Sequence, residues 1–178
     1  MTRRLVLFVP ALSLALLSPA CKHRKAAERE TVDEAHPPGL ASTLHMGDPK
    51  AASQLIAGFY GIEEHAWRWT MRQFNVSLRP PPGSPQKGAV LFVNLTVPPP
   101  VLANQPAISL TAAINGIKLS PETWSKPGTY LYQRDLPADL MAGDSVRVDF
   151  ELDKAMPPND KDARELGVVV LRIGLESK

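Results

Sequence analysis

Two regimes of hydrophobic patterning divide the chain. From Leu5 to Leu17 the residues are apolar except at Ser13, with a single break at Pro10, whereas from about Ser53 onward apolar and polar positions alternate. Alternation with a period of two marks strands buried on one face. It predicts strands over 55–61, 66–70, 74–78, 89–97, 107–115, 117–119, 129–134, 145–152 and 166–175. Val146, Val148 and Phe150 against Arg147, Asp149 and Glu151 form the cleanest such set. Asn115-Gly116, set between Ile114 and Ile117, is the strongest hairpin signal, because both central residues of a type I′ turn need positive φ. Pro80–Pro82, Pro98–Pro100 and Pro157–Pro158 fall between the strands, where the missing N–H does no harm. Residues 137–141 have room for one helical turn and no longer helix competes. The fold class expected is all-β, a two-sheet antiparallel β-sandwich of jelly-roll or immunoglobulin-like kind, occupying residues 53–178.

The first regime reads differently. Arg3 and Arg4, the apolar run and a small-residue border at Ser18-Pro19-Ala20 have the order of a secretory signal, expected over residues 1–20. The run is too short for a spanning helix, which needs roughly 20 apolar residues. Cys21 is the only cysteine, so no internal disulfide is available and the domain must be held by its core. Its place at the signal border resembles bacterial lipoproteins, although Ser18 stands where their leucine would. The resemblance implies cleavage before Cys21 and lipidation of its thiol, making membrane lipid a partner. The expected location is the bacterial cell envelope, on its periplasmic or surface side.

Residues 21–52 lack sustained apolar periodicity and contain Pro37-Pro38-Gly39, so they are expected to form a flexible tether. Lys22, His23, Arg24 and Lys25 begin it, either as contacts to anionic head groups or as a solvated linker. Of the 20 basic residues, Arg3 and Arg4 belong to the signal, which leaves the remainder balanced against 18 acidic ones. No basic excess points to nucleic acid.

Chemistry concentrates in GFYGIEEHAWRWTMRQFNVSL, residues 58–78, which holds Phe59, Tyr60, Trp67, Trp69 and Phe74 with Glu63, Glu64, Arg68 and Arg72 among them. On a strand Trp67 and Trp69 share one face and Arg68 and Thr70 the other. The indole pair is expected either as a flat platform for sugar rings or as core filling, with Arg68 paired to a carboxylate. A second cluster, Asp160, Asp162, Arg164 and Glu165, approaches the strand of Val168–Val170, with Gly167 letting the backbone pass close to another segment.

GFYGIEEHAWRWT followed by DARELGVVVLRIGL resembles a β-sandwich accessory module of bacterial membrane and envelope proteins, often found with glycosyltransferase-like membrane proteins. The matching positions are Gly58, Phe59, Tyr60, Glu63, Arg68, Trp69, Asp162, Arg164, Leu166 and Gly167. The resemblance implies a sandwich and carbohydrate at the envelope. It makes Tyr60, Glu63, Arg68, Trp69, Asp162 and Arg164 the candidate ligand-binding residues, with Glu63, Arg68, Asp162 and Arg164 in one polar cluster.

Other chemistries find less support. The four histidines have no metal-ligand spacing, so no metal or other cofactor is expected. No nucleophile elbow or phosphate loop occurs, and the predicted domain has no cysteine nucleophile. A carboxylate pair for glycoside hydrolysis depends on spatial spacing, so a hydrolase stays open as a third reading. The leading expectation is a non-catalytic, lipid-anchored envelope sandwich that binds a glycan. The alternative is a structural or assembly lipoprotein that binds another envelope protein, for example by strand addition.

Overall fold

In the computed structural model, which describes residues 39–178, ten antiparallel strands make up the domain. They are β1 (Thr43–His45), β2 (Leu55–Phe59), β3 (Arg68–Leu78), β4 (Ala89–Val97) and β5 (Ile108–Ile114), then β6 (Ile117–Lys118), β7 (Glu122–Trp124), β8 (Gly128–Leu136), β9 (Val146–Leu152) and β10 (Val169–Ser177). The all-β expectation holds, and β4 has the bounds expected of it. The layers differ from two separate sheets. A single hydrogen-bonded path runs β6-β5-β9-β3-β10-β4-β8, so the sheet is continuous and curls into a sandwich-like half-barrel.

One strand makes this possible. Arg68–Thr70 of the strand expected over 66–70, and all of 74–78, belong to the single eleven-residue β3, while Ala66 and Trp67 fall in the turn before it. Its start pairs with β10 (Trp69 opposite Val169, Arg68 opposite Val170), and its end pairs with β9 from Gln73 to Leu78. Met71, Arg72 and Gln73 are exposed where the strand crosses between layers, which interrupts the alternation and splits the sequence signal in two. The layers close on one core that includes Phe74, Val76, Leu91, Val93, Leu110, Val148, Phe150, Val168 and Ile173.

Side chains join β8, at one end of the path, to β7 and the residues before it. Arg134 of β8 donates from Nε to the Ser120 carbonyl (2.6 Å) and from Nη2 to that of Pro121 (3.0 Å), and pairs with Glu122 at 3.1 Å. Trp124 stacks on Tyr130 with ring centroids 5.4 Å apart. Short strands such as β7 offer little periodicity, and β7 was not expected from the sequence.

The folded body begins earlier than residue 53. β1 pairs with β10, Leu44 and Met46 are buried, and a 3₁₀ helix at Pro49–Gln54 buries Ala51 and Gln54. The Gln54 amide bonds both main-chain groups of Ala41 and the Ser77 carbonyl. Residues 39–52 are therefore part of the domain rather than tether. A three-residue strand carries too few alternations to announce itself, and its partner β10 lies far along the chain. Residues 1–38, on which the expected signal, Cys21 and the rest of the expected tether fall, lie outside the described residues.

Two turns behave as their residues require. Asn115 (φ 52°) and Gly116 (φ 80°) make the β5–β6 hairpin. At Gly167 a Cβ would lie 2.7 Å from Thr70 Oγ1 and 2.8 Å from the Met71 carbonyl. The absent side chain lets Gly167 donate to the Thr70 carbonyl at 2.7 Å, as the expected close approach demands.

Candidate functional site

The candidate residues arrive from two loops and one strand. Glu63 and Trp67 bridge across a tight turn in which Glu64 and His65 both adopt positive φ (49° and 56°). The Glu63 N–H donates to the Trp67 carbonyl at 2.9 Å. In the β9–β10 connection, Asn159 Oδ1 accepts from the N–H groups of Lys161 and Asp162, and Asp162 Oδ1 accepts from that of Arg164. These local bonds aim Arg164 back toward Glu63.

The result is a clamp. Arg164 binds Asp162 through Nε and Nη2 (3.0 and 2.8 Å), and its Nη1 reaches Glu63 at 2.8 Å. The guanidinium lies over the Tyr60 ring, 5.1 Å from its centroid, and the Tyr60 hydroxyl donates to the Glu165 carbonyl at 2.9 Å. The two carboxylates hold Arg164 more strongly protonated than an ordinary arginine. The hydrogen bonds from Arg164 hold the Asp162 carboxyl below its usual range. Glu63, Asp162 and Arg164 thus converge, with Tyr60 beside them, but Arg68, expected in the same cluster, does not join it, and most of the cluster's polar capacity is spent within it.

Arg68 departs from the expected pairing. Its side chain points inward with Thr70, is 8% exposed, and donates to the carbonyls of Met46 (Nε, 3.1 Å) and Tyr60 (Nη1, 3.0 Å). Among the described residues no carboxylate pairs with it, and burial lowers its pKa. The early segment ending at Met46, expected as tether, supplies the partner that a carboxylate was expected to be. A buried guanidinium satisfied by carbonyls works as a bracket between β3 and that segment.

Trp67 and Trp69 do share a face, and both are half-buried. They meet edge to face at 6.3 Å with an interplanar angle of 79°, so they do not form a flat platform. Trp69 packs against the core.

The surface itself offers a different feature. On the outer side of β3, β9 and β5 an open cleft of about 290 Å³ is lined by Gln73, Asn75, Thr111, Arg147, Asp149 and Glu151, with Lys118 at one end. Arg147 pairs with Asp149 at 2.8 Å, and Gln73 donates to Glu151 at 3.3 Å. Asn75 Oδ1 is buried and has no hydrogen-bond partner.

No protein-family model and no curated protein matches the chain. The chain is similar, at low identity, to several solved structures. An acetyl xylan esterase from the rumen bacterium Butyrivibrio proteoclasticus shows 12% identity and a TM-score of 0.44 over 78% of this chain and 32% of its own. Dimeric latent PorU from Porphyromonas gingivalis shows 11% identity and a TM-score of 0.33 over 60% of this chain and 10% of its own. TmCBM27, a carbohydrate-binding module with specific mannan recognition, shows 10% identity and a TM-score of 0.44 over 78% of this chain and 97% of its own. The chain thus spans well under two thirds of the first two. What it binds has to be read from its own surface.

Among the described residues no group of three or more histidine, cysteine or acidic side chains is placed to hold a metal, and no helix is long and apolar enough to cross a membrane. Sequence reasoning passed over the cleft. The alternating polar positions of Gln73-Asn75-Ser77 and Arg147-Asp149-Glu151 were visible, but which strands lie side by side was not.

The clamp makes a pH prediction. The folded-state pKa of Asp162 is depressed, so its contribution is complete above the ordinary aspartate value of about 3.9 and disappears as pH falls through the lower folded value. Below about pH 4 the melting temperature of the wild type should fall more steeply than that of Asp162→Asn. Parallel acid limbs would remove the clamp from the account of stability. In double-mutant cycles Asp162 should couple to Arg164 more strongly than to Arg68.

Proposed function

We propose that this chain is an exported module, lipid-anchored at Cys21, that binds carbohydrate on the outer face of β3, β9 and β5 without transforming it. The observation that carries the reading is the open cleft on this face, lined by the side chains of Gln73, Asn75, Thr111, Arg147, Asp149 and Glu151. Its volume sits near the lower end of small-molecule sites, about 300 Å³. Its lining suits sugar hydroxyls. Each hydroxyl both donates and accepts, and the cleft presents acceptors on Asp149 and Glu151 beside donors on Arg147, Lys118 and Gln73. Charged partners make the stronger of these bonds. In this reading Tyr60, Glu63, Asp162 and Arg164 brace the neighbouring loops, Arg68 ties β3 to the segment before the 3₁₀ helix, and Trp69 flanks the face at the start of β3.

Affinity electrophoresis of the full chain against soluble polysaccharides tests the proposal. Asp149→Ala should weaken retardation by at least about tenfold, the worth of one charge-assisted hydrogen bond, with little change in melting temperature. Retardation unchanged in Asp149→Ala but abolished in Trp69→Ala would move the site to the indole pair. The anchor has its own check. Cys21→Ser should lose the mass of the lipid and leave the membrane fraction, and an unchanged mass and distribution would remove the anchor.

A partner protein added as a strand is the second reading. It has one observation in its favour, the outer strand β2 with Ile56 48% exposed. Two register breaks in the β2–β3 pairing make this edge a poor template for regular strand addition.

A further inference from the structure

The register of five strands turns the cleft into a trough. Ala57 lies opposite Asn75, Asn75 opposite Asp149, Asp149 opposite Ala113, and Ala113 opposite Lys118. These residues form one row running across the strands. On one side stands the row Gln73–Glu151–Thr111, and on the other Ser77 and Arg147. Gln73, Glu151 and Arg147 are exposed and stand beside the half-buried Asn75, Asp149 and Ala113, which form the floor; Thr111 and Ser77 are half-buried, and the row becomes exposed at its ends, Ala57 and Lys118.

Both ends are open. A second hollow of about 430 Å³ shares Gln73 and Asn75 with the first and carries the trough over β3 to Ala57 and Gly58 at the margin of the sheet. Met71, Arg72 and Glu165 line it there together with Ala57 and Gly58. Ala57 offers a methyl group, and Gly58, at φ 80°, would place a Cβ 2.0 Å from the Gln73 carbonyl. At the opposite end Lys118 is exposed on a two-residue strand.

Resting on the carbohydrate reading, we infer that the trough takes an interior stretch of a linear, neutral polysaccharide lying across the strands. Strands are spaced about 4.8 Å apart, so the four steps from Ala57 to Lys118 span about 19 Å, room for about four sugar units in an extended chain. A site for a chain end needs an enclosed pocket that meets the terminal sugar, whereas here two open hollows join through Gln73 and Asn75 into one run. The exposed side chains beside the floor leave branches only the direction away from it. Charge sets the remaining requirement: a polyanion would meet Asp149 and Glu151, a polycation would meet Arg147 and Lys118, and a neutral chain meets matched donors and acceptors throughout.

The test titrates the full chain with cello-, xylo- and manno-oligosaccharides of one to six units. In the ladder that binds, affinity should rise at least tenfold from one unit to four and then level off, and a hexamer reduced to its alditol should bind as tightly as the native one. Lys118→Ala should lower affinity for the hexamer several-fold and bring the plateau one unit earlier. Equal affinity for monomer and hexamer, or loss of binding on reduction of the end, would overturn the interior-chain inference and leave carbohydrate binding standing. Binding by no ladder and by none of the parent polymers would overturn both.

Discussion

Phe74→Ala should lower the free energy of unfolding by about 3–5 kcal/mol, the range for deleting a buried phenylalanine ring. The ring is fully buried, stacks on Phe150 at 4.9 Å with an interplanar angle of 13°, and meets the edge of Phe59 at 5.3 Å. It sits at the point where β3 joins β9, directly opposite Phe150 in the ladder. Truncation leaves a cavity bounded by two rings that belong to different strands, and neither can collapse into it without breaking register. Chemical denaturation would show this as a lower midpoint at nearly constant slope, because the surface exposed on unfolding changes little. A loss below about 1 kcal/mol would mean that the core closes around the gap, contrary to the packing described.

Gly58→Ala is the second large effect. Besides the positive φ, the new methyl would lie 2.0 Å from the Gln73 carbonyl and 2.5 Å from the Phe74 Cα. Both obstacles are main chain, so no side-chain rotation relieves them, and β2 has to peel away from β3. Backbone strain and overpacking together put the cost at about 3 kcal/mol or more. Hydrogen exchange localises the damage: amides of Leu55–Phe59 should lose protection well before those of β4 and β10. Because β2 forms one open end of the trough, the same substitution should weaken binding of long oligosaccharides more than short ones. Uniform loss of protection over the whole sheet would place Gly58 in the global core instead.

The signal-like start and the alternation of the later two thirds are properties of local sequence, and local sequence was enough for the fold class. β4, β5 and β9 could be read almost residue by residue, since each buries alternate positions over seven to nine residues and leaves the others more open, apart from the buried Phe92 of β4. The Asn115-Gly116 turn and the close approach at Gly167 were also legible, because each depends on a backbone demand that only certain residues meet. The convergence of Glu63, Asp162 and Arg164 followed from the motif resemblance. The backbone carbonyls that hold Arg68 carry no sequence signal, so its partner was misjudged.

By itself, then, the chain specifies an all-β body, most of its strands and the faces those strands bury, because hydrophobic period and turn chemistry act over neighbouring residues. Tertiary structure alone decides that one eleven-residue strand links both layers, that the segment from Gly39 onward is sewn into the sheet, and that Asn75, Asp149 and Ala113 share a floor. Those facts depend on register between strands far apart in the chain, the most distant pairing Thr43 with Gly174. Side chains that meet only across such pairings leave no periodic trace in the sequence.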